Sequence, residues 1–199
     1  MGEIDMNYLA HLLLSGESDE LLVGNLIGDF VKGKINGNYP VGIGAGIMLH
    51  RQIDSYTGTH PRAVSARNRF SPERRRLAGI ILDVCFDHFL IRHWHRYSNM
   101  SFPHFVDEVH RRIQPYKHIL QGGLHFFHSR RNIGYLLETN QDLDGVAYIL
   151  SRISNRLRKG DGLLDAIDEI ETNYDQLEND FNAFFPDLVE YVRTVRPQP

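Results

Sequence analysis

The sequence predicts an all-α protein built as a single helical domain. Three observations carry that reading. Apolar residues recur at helical rather than alternating spacing along most of the chain. Turn pairs flanked by alternating strands, the mark of β-hairpins, are scarce. One stretch, 77–94, is apolar around nearly its whole circumference, the pattern of a buried central helix. A chain of 199 residues supports one sizeable core, not two comfortable ones. No repeat, low-complexity segment or linker divides it, so 1–199 is read as one domain with frayed ends at 1–5 and 196–199.

The helices follow in order. YLAHLLL over 8–14 is a short apolar helix, and ELLVGNLIGDFVK over 20–32 a second. Pro40 suits a first helical turn, so a third runs from 41 to about 56. Ser71-Pro72-Glu73 reads as an N-cap with proline at the first helical position. The helix it opens is expected to reach Tyr97 and to be the longest in the chain. Ser101 and Pro103 start another, which Pro115 ends. Gly122-Gly123 breaks the pattern again. A further helix fits 142 to about 158, stopped by Gly160 and Gly162. The last two cover about 163–182 and 184–195.

Composition narrows the function. A formal net charge of −3 argues against a nucleic-acid binder that relies on overall charge. No apolar stretch approaches the roughly 20 residues that span a bilayer, and the acidic start, Met1 to Asp5, lacks a signal peptide's basic region. A single cysteine, Cys85, forms no intramolecular disulfide and sits in an apolar run, so a cytoplasmic setting and a buried, inert thiol are expected. The outlier is histidine, with eleven residues, several in apolar segments beside carboxylates.

Those polar residues in apolar places are the candidate site. At about 100° per residue, Asp83 and Asp87 share a helical face with Ile80, Val84, Ile91 and Trp94. Carboxylates inside such a helix are costly unless paired or bound to a cation. His50 and Asp54 repeat the i,i+4 device beside Ile43 and Ile47. Asp29 lies on the Leu22 and Leu26 side of its helix, and His11 is embedded among leucines. Four helices thus each offer nitrogen or oxygen ligands, a set that suits Mn, Fe or Zn better than Ca. Taken singly, each residue also has an ordinary structural role: His11 bonded to a carbonyl, Asp54 paired with Arg51 or Arg62, Asp83 and Asp87 paired with Arg92 or Arg76, and Gly24 and Gly28 permitting close helix packing. Arg51, next to His50, and Lys32 are candidates to hold a phosphate oxygen. Arg67, Arg69, Arg74, Arg75 and Arg76 form a basic stretch, either a solvated face or a dock for an acidic partner. His118, His125 and His128 are assigned to the surface or to supporting positions.

The blocks MNYLAHL (6–12), GNLIGDF (24–30), HRQID (50–54) and LDVCFDHFL (82–90), followed by His93-Trp94 and a closing YDQLENDF…FFP, resemble the acyl carrier protein phosphodiesterase family in order and spacing. The resemblance covers most of the chain and is weakest over 114–140. It implies an all-helical fold distantly akin to HD-type phosphohydrolases, one or two Mn²⁺ ions, and an essential aspartate at Asp29. HD enzymes carry histidine immediately before that aspartate; here the position is Gly28, leaving His11, His50, Asp54, Asp83 and Asp87 as substitute ligands. The implied reaction releases 4′-phosphopantetheine from holo acyl carrier protein. Asp29 would act as ligand or base, His88 or His50 as the acid for the leaving oxygen, and Arg51 as the phosphate clamp. No nucleic-acid or membrane partner is implied. Two rival readings stand beside it: an HD-type phosphohydrolase acting on a nucleotide or other small phosphodiester, and a non-enzymatic helical module with a degenerate metal site.

Overall fold

The computed structural model describes residues 8–35, 37–120, 122–157 and 160–197. These form ten α-helices joined by short 3₁₀ turns, with no strand among the described residues. The helices are α1 Tyr8–Leu14, α2 Asp19–Ile27, α3 Val41–Thr59, α4 Pro61–Arg67, α5 Ala78–Arg92, α6 Phe102–Ile113, α7 Arg130–Glu138, α8 Leu143–Ser154, α9 Ala166–Thr172 and α10 Tyr174–Val195. Buried apolar side chains from all ten join one core, which makes this a single helical domain.

Local chemistry explains most boundaries. The Ser18 hydroxyl caps α2 by accepting from the Leu21 N–H, and Asp142 caps α8 through Gly145. Pro40 precedes α3 and Pro103 sits in the first turn of α6, where a missing N–H costs nothing. The second helix stops at Ile27 and tightens into a 3₁₀ turn over Gly28–Phe30, short of the expected Lys32. That turn presents Asp29.

Two expectations are corrected. The helix opened by Ser71 is interrupted: 72–74 is a 3₁₀ turn, and α5 proper runs only from Ala78 to Arg92. The Ser71 N–H and the Arg74 side chain are both held by Glu169 of α9, which anchors the turn instead of extending the helix. The longest helix is α10, with 22 residues, and it passes through Pro186 where a start at Phe184 was expected. An interior proline costs about 3 kcal/mol. Here Phe181, Phe184, Phe185 and Leu188 are all buried, at roughly 1.5–3 kcal/mol each, so their continuous stripe outweighs the break. At the tail, the Arg196 guanidinium donates to the Leu14 carbonyl at 3.2 Å. The frayed ends expected at 1–5 and beyond Pro197 lie outside the described residues.

The pair α2–α3 sets the geometry of the site. Gly24 and Gly46 face each other across it; a Cβ on Gly24 would overlap the Ile43 carbonyl oxygen, and one on Gly46 would crowd the Leu21 carbonyl. Only glycine permits that approach. It brings the turn after α2 against the side chains at the middle of α3. α5 packs behind α1, and ten of its residues are buried, among them the Cys85 thiol, whose pKa burial pushes far up.

Candidate functional site

Two histidines meet where α1, α2 and α3 converge. The rings of His11 and His50 stack with centroids 4.1 Å apart and planes inclined by 20°. Asn25, fully buried on α2, orients both. Its side-chain oxygen lies 2.7 Å from His11 Nδ1, its side-chain amide donates to the His11 carbonyl at 2.8 Å, and its own carbonyl lies 2.8 Å from His50 Nδ1. Those oxygens only accept, so both Nδ1 atoms carry protons and both Nε2 atoms are the ones presented forward. A partner of this kind on the far nitrogen is the usual support of a metal-binding imidazole.

Both Nε2 atoms face carboxylates. His11 Nε2 is 3.2 Å from Asp54, and His50 Nε2 is 3.2 Å from Asp54 and 3.0 Å from Asp29. His11, His50 and Asp54 each offer a ligand atom, all within 4.8 Å of one another. Burial pulls the His50 imidazole down, but hydrogen bonds to Asp29 and Asp54 raise it further, to about 10. Partial burial would raise the Asp54 carboxyl; His11 and His50 hold it well below the usual carboxylate range. Two imidazoles thus face two carboxylates, and His11, His50 and Asp54 could together hold a metal ion.

The reason His50 reaches this point is the glycine before Asp29. A Cβ at Gly28 would fall on the His50 ring. The space that a side chain at position 28 would fill is therefore occupied by an imidazole arriving from α3.

The cluster opens into a pocket of about 180 Å³, lined by His11, Asp29 and Asp54 together with Tyr8, Thr57, Arg67 and Asp83. Asp83 is half-buried on α5. Arg67, at the end of α4, donates to the Gly58 carbonyl at 2.6 Å, which holds its guanidinium at the wall. The Thr57 hydroxyl is buried and without a hydrogen-bond partner. Thr57 was not a sequence candidate, and Arg67 was read only as part of a basic stretch. The signal for Thr57 was present: 50, 54 and 57 share one helical face at i, i+4, i+7.

Other candidates are placed elsewhere. Asp87 is buried behind α1, where its carboxylate accepts from the Leu9 N–H at 3.4 Å. Burial, reinforced by Asp83, pushes its pKa well above the ordinary value despite that bond. His88 has both ring nitrogens engaged, one with the Asn140 carbonyl at 2.9 Å and the other with the Tyr174 hydroxyl at 2.8 Å, and it does not line the pocket. The acid role expected of it finds no contact with this pocket. Arg51 donates to the Val31 carbonyl at 2.8 Å, securing the chain after Asp29 rather than facing the pocket. The basic stretch is divided too. Arg69 pairs with buried Asp180 at 2.7 Å, Arg74 with Glu169 at 2.5 Å, and Arg75 bonds Asn68, while Arg76 is exposed. Much of that charge locks α4 and the following turn onto α9 and α10 instead of forming an open dock. His118 and His125 are exposed.

Fold and site together define an all-α protein whose imidazole–carboxylate cluster lies at the wall of a polar pocket. Comparison with known proteins places it further. The family profile described as acyl carrier protein phosphodiesterase matches residues 6–188, and the chain belongs to that family. Relatives named acyl carrier protein phosphodiesterase include one from Serratia proteamaculans, 34% identical over 194 residues, covering 94% of this chain and 98% of that protein. One from Klebsiella pneumoniae is 38% identical over 190 residues, covering 92% and 96%. No solved structure matches. Among the described residues, no helix is long and apolar enough to cross a membrane.

Proposed function

We propose that the protein is a phosphodiesterase that hydrolyses the diester linking 4′-phosphopantetheine to holo acyl carrier protein, and that a divalent cation assists it. The observation that carries this reading is the convergence of His11 Nε2 and His50 Nε2 on Asp54 and Asp29 at the wall of a polar pocket, in a chain of this family. The donor set fits an ion such as Mn²⁺: two nitrogens with fixed tautomers and the Asp54 carboxylate, with Asp29 beside His50. When bound, such an ion supplies charge to neutralise the phosphate and acidifies a water molecule.

The chain's own residues supply the rest. Asp83, across the pocket from α3, accepts a proton from the attacking water. Arg67 neutralises a non-bridging phosphate oxygen, the role expected of Arg51. The unpartnered Thr57 hydroxyl donates a hydrogen bond to another phosphate oxygen. The water oxygen bonds to phosphorus as the phosphorus–oxygen bond to the carrier's serine breaks; that serine oxygen takes up a proton from solvent water, and Asp83 returns the one it received to solvent. The products are apo carrier protein and 4′-phosphopantetheine. A lone, buried cysteine fits the reducing cytoplasm as the setting.

Incubation of the purified protein with holo acyl carrier protein and Mn²⁺, read by intact mass, tests this. Wild type is expected to remove the phosphopantetheine mass, and Asp29→Ala and Thr57→Val to slow its removal. A folded wild type that leaves the carrier intact but cleaves a nucleotide diester would replace the substrate; one that cleaves neither would remove the enzymatic reading.

A further inference from the structure

A second cavity adjoins the polar pocket. It measures about 150 Å³, room for on the order of ten water molecules. Its walls are mostly apolar, from Tyr8, Phe30, Phe127, Leu136 and Ile149. Two links join it to the site. Tyr8 lines both cavities, and Phe30 directly follows Asp29 in the turn that presents the carboxylate.

One edge of the cleft is polar. The hydroxyls of Tyr135 and Tyr148 bond each other, and Arg152 Nη1 reaches the Tyr148 hydroxyl at 3.2 Å and the Tyr135 hydroxyl at 3.5 Å. The Arg152 guanidinium also lies about 6 Å from both ring centroids, 6.0 and 5.9 Å. Tyr135 and Tyr148 are partly exposed, at 43% and 45%. No carboxylate lines the cleft among the described residues.

We propose that this cleft is the subsite for the pantetheine arm of the substrate, which makes α7 and α8 the specificity-determining wall. The proposal rests on the phosphodiesterase reading above. The diester phosphorus belongs in the polar pocket, so the arm leaving it needs an adjoining channel. Pantetheine is an uncharged chain with a dimethyl branch next to the phosphate end and amide carbonyls further along. An apolar wall beginning at Tyr8 and Phe30, followed by hydroxyl and guanidinium donors, matches that order. A purely hydrocarbon occupant would leave the donors of the Tyr135–Tyr148–Arg152 edge without new partners, whereas a second guanidinium on the wall, Arg156, adds donors that suit a chain carrying carbonyl acceptors.

Pantetheine itself, lacking phosphate, tests the cleft apart from catalysis. It is titrated into the full chain and followed by ligand-observed NMR. Saturable binding is expected, weakened at least about tenfold in Arg152→Ala and in Thr139→Trp, which narrows the cleft from a half-buried wall position, and retained in Asp54→Ala. Tyr148→Phe serves as the milder variant should Thr139→Trp misfold. In turnover of holo carrier protein, Arg152→Ala is expected to act on KM rather than kcat. No binding by wild type, or equal binding by the cleft variants, overturns the subsite even if holo carrier protein is cleaved. Binding confined to the cleft, with carrier protein left intact, keeps the subsite and removes the phosphodiesterase reading.

Discussion

Two regions of this protein gather the same residue types and use them in opposite ways. At the α1–α2–α3 junction, His11, His50, Asp29 and Asp54 have their backs satisfied by Asn25 or by the helix, and their free atoms point at one another. On α5, Asp87 and His88 are more deeply buried than Asp29 and Asp54, and their bonded atoms reach neighbouring elements: the start of α1, the Asn140 carbonyl and the Tyr174 hydroxyl. The first arrangement concentrates unbalanced negative charge and basic nitrogen beside an open pocket. The second distributes its hydrogen bonds over three elements and ties them together. Burial of a polar group therefore does not by itself mark function; what counts is whether its partners are backbone groups elsewhere or other ligand-type atoms facing the same space.

The sharpest way to break this comparison is to remove one histidine from each region. His50→Ala should lower turnover of holo carrier protein by about a hundredfold or more, as loss of a site-defining group does, and should abolish any rise in Tm on adding Mn²⁺. An ion at a hundred times its Kd stabilises by about 2.7 kcal/mol, so the wild-type shift is easily seen. His88→Ala should do the reverse. It strands the Asn140 carbonyl and the Tyr174 hydroxyl, at a cost of about 1–3 kcal/mol in urea unfolding, while kcat stays within about threefold and the Mn²⁺ shift persists. A His88 variant that folds normally yet loses turnover would collapse the distinction.

The sequence made one side of this contrast readable. His11, Asp29, His50 and Asp54 stood out because each interrupts an apolar helical face, and they do converge. Asp87 and His88 stood out by the same criterion and do not, because their partners, two backbone groups and the Tyr174 hydroxyl, lie 52 to 86 residues away, which no local pattern encodes. Arg67 was hidden in a run of arginines, and its separation from Arg69 and Arg74 depends on the acids of α9 and α10. The fold shows the same limit. Helices with strong caps or apolar periods, such as α3, α6 and α8, were legible within a few residues. The short α4 and α7 were not, since both lie between turn-forming residues and have brief apolar faces completed only by packing. At α10 the expected break between 182 and 184 is absent, because tertiary burial of the phenylalanines carries one helix from Tyr174 to Val195.

A gentler probe moves the first region without deleting a ligand. Gly28→Ala adds one methyl group where the His50 ring lies. Overpacking of this kind costs about 1–3 kcal/mol. The ring has nowhere to shift without stretching its bond to the Asn25 carbonyl or its approach to Asp29, so turnover should fall together with stability. Gly58→Ala is the control. Gly58 also lines the polar pocket, but a Cβ there meets nothing within 4 Å, so stability should be nearly unchanged. A Gly28→Ala protein with wild-type turnover would mean that the position of His50 is not critical.

The smallest expected effect lies on the α5 side and is read as a pH dependence. Burial raises the pKa of Asp87 in the folded protein above its ordinary value. The folded state therefore holds a proton there that the unfolded chain has released. The resulting stability is fully present below about pH 4, the ordinary aspartate value, and is lost as pH rises toward the folded-state pKa, at up to about 1.4 kcal/mol per pH unit. Asp87→Asn keeps a side-chain oxygen to accept from the Leu9 N–H and removes the titration. The stability of wild type relative to the variant should thus decline as pH rises above about 4, as followed by urea midpoints. The opposite slope would mean that the folded protein favours the ionised carboxylate. Asp87 would then belong with the charge-concentrating cluster of α1–α3 rather than with the hydrogen bonds that fasten α5 to α1.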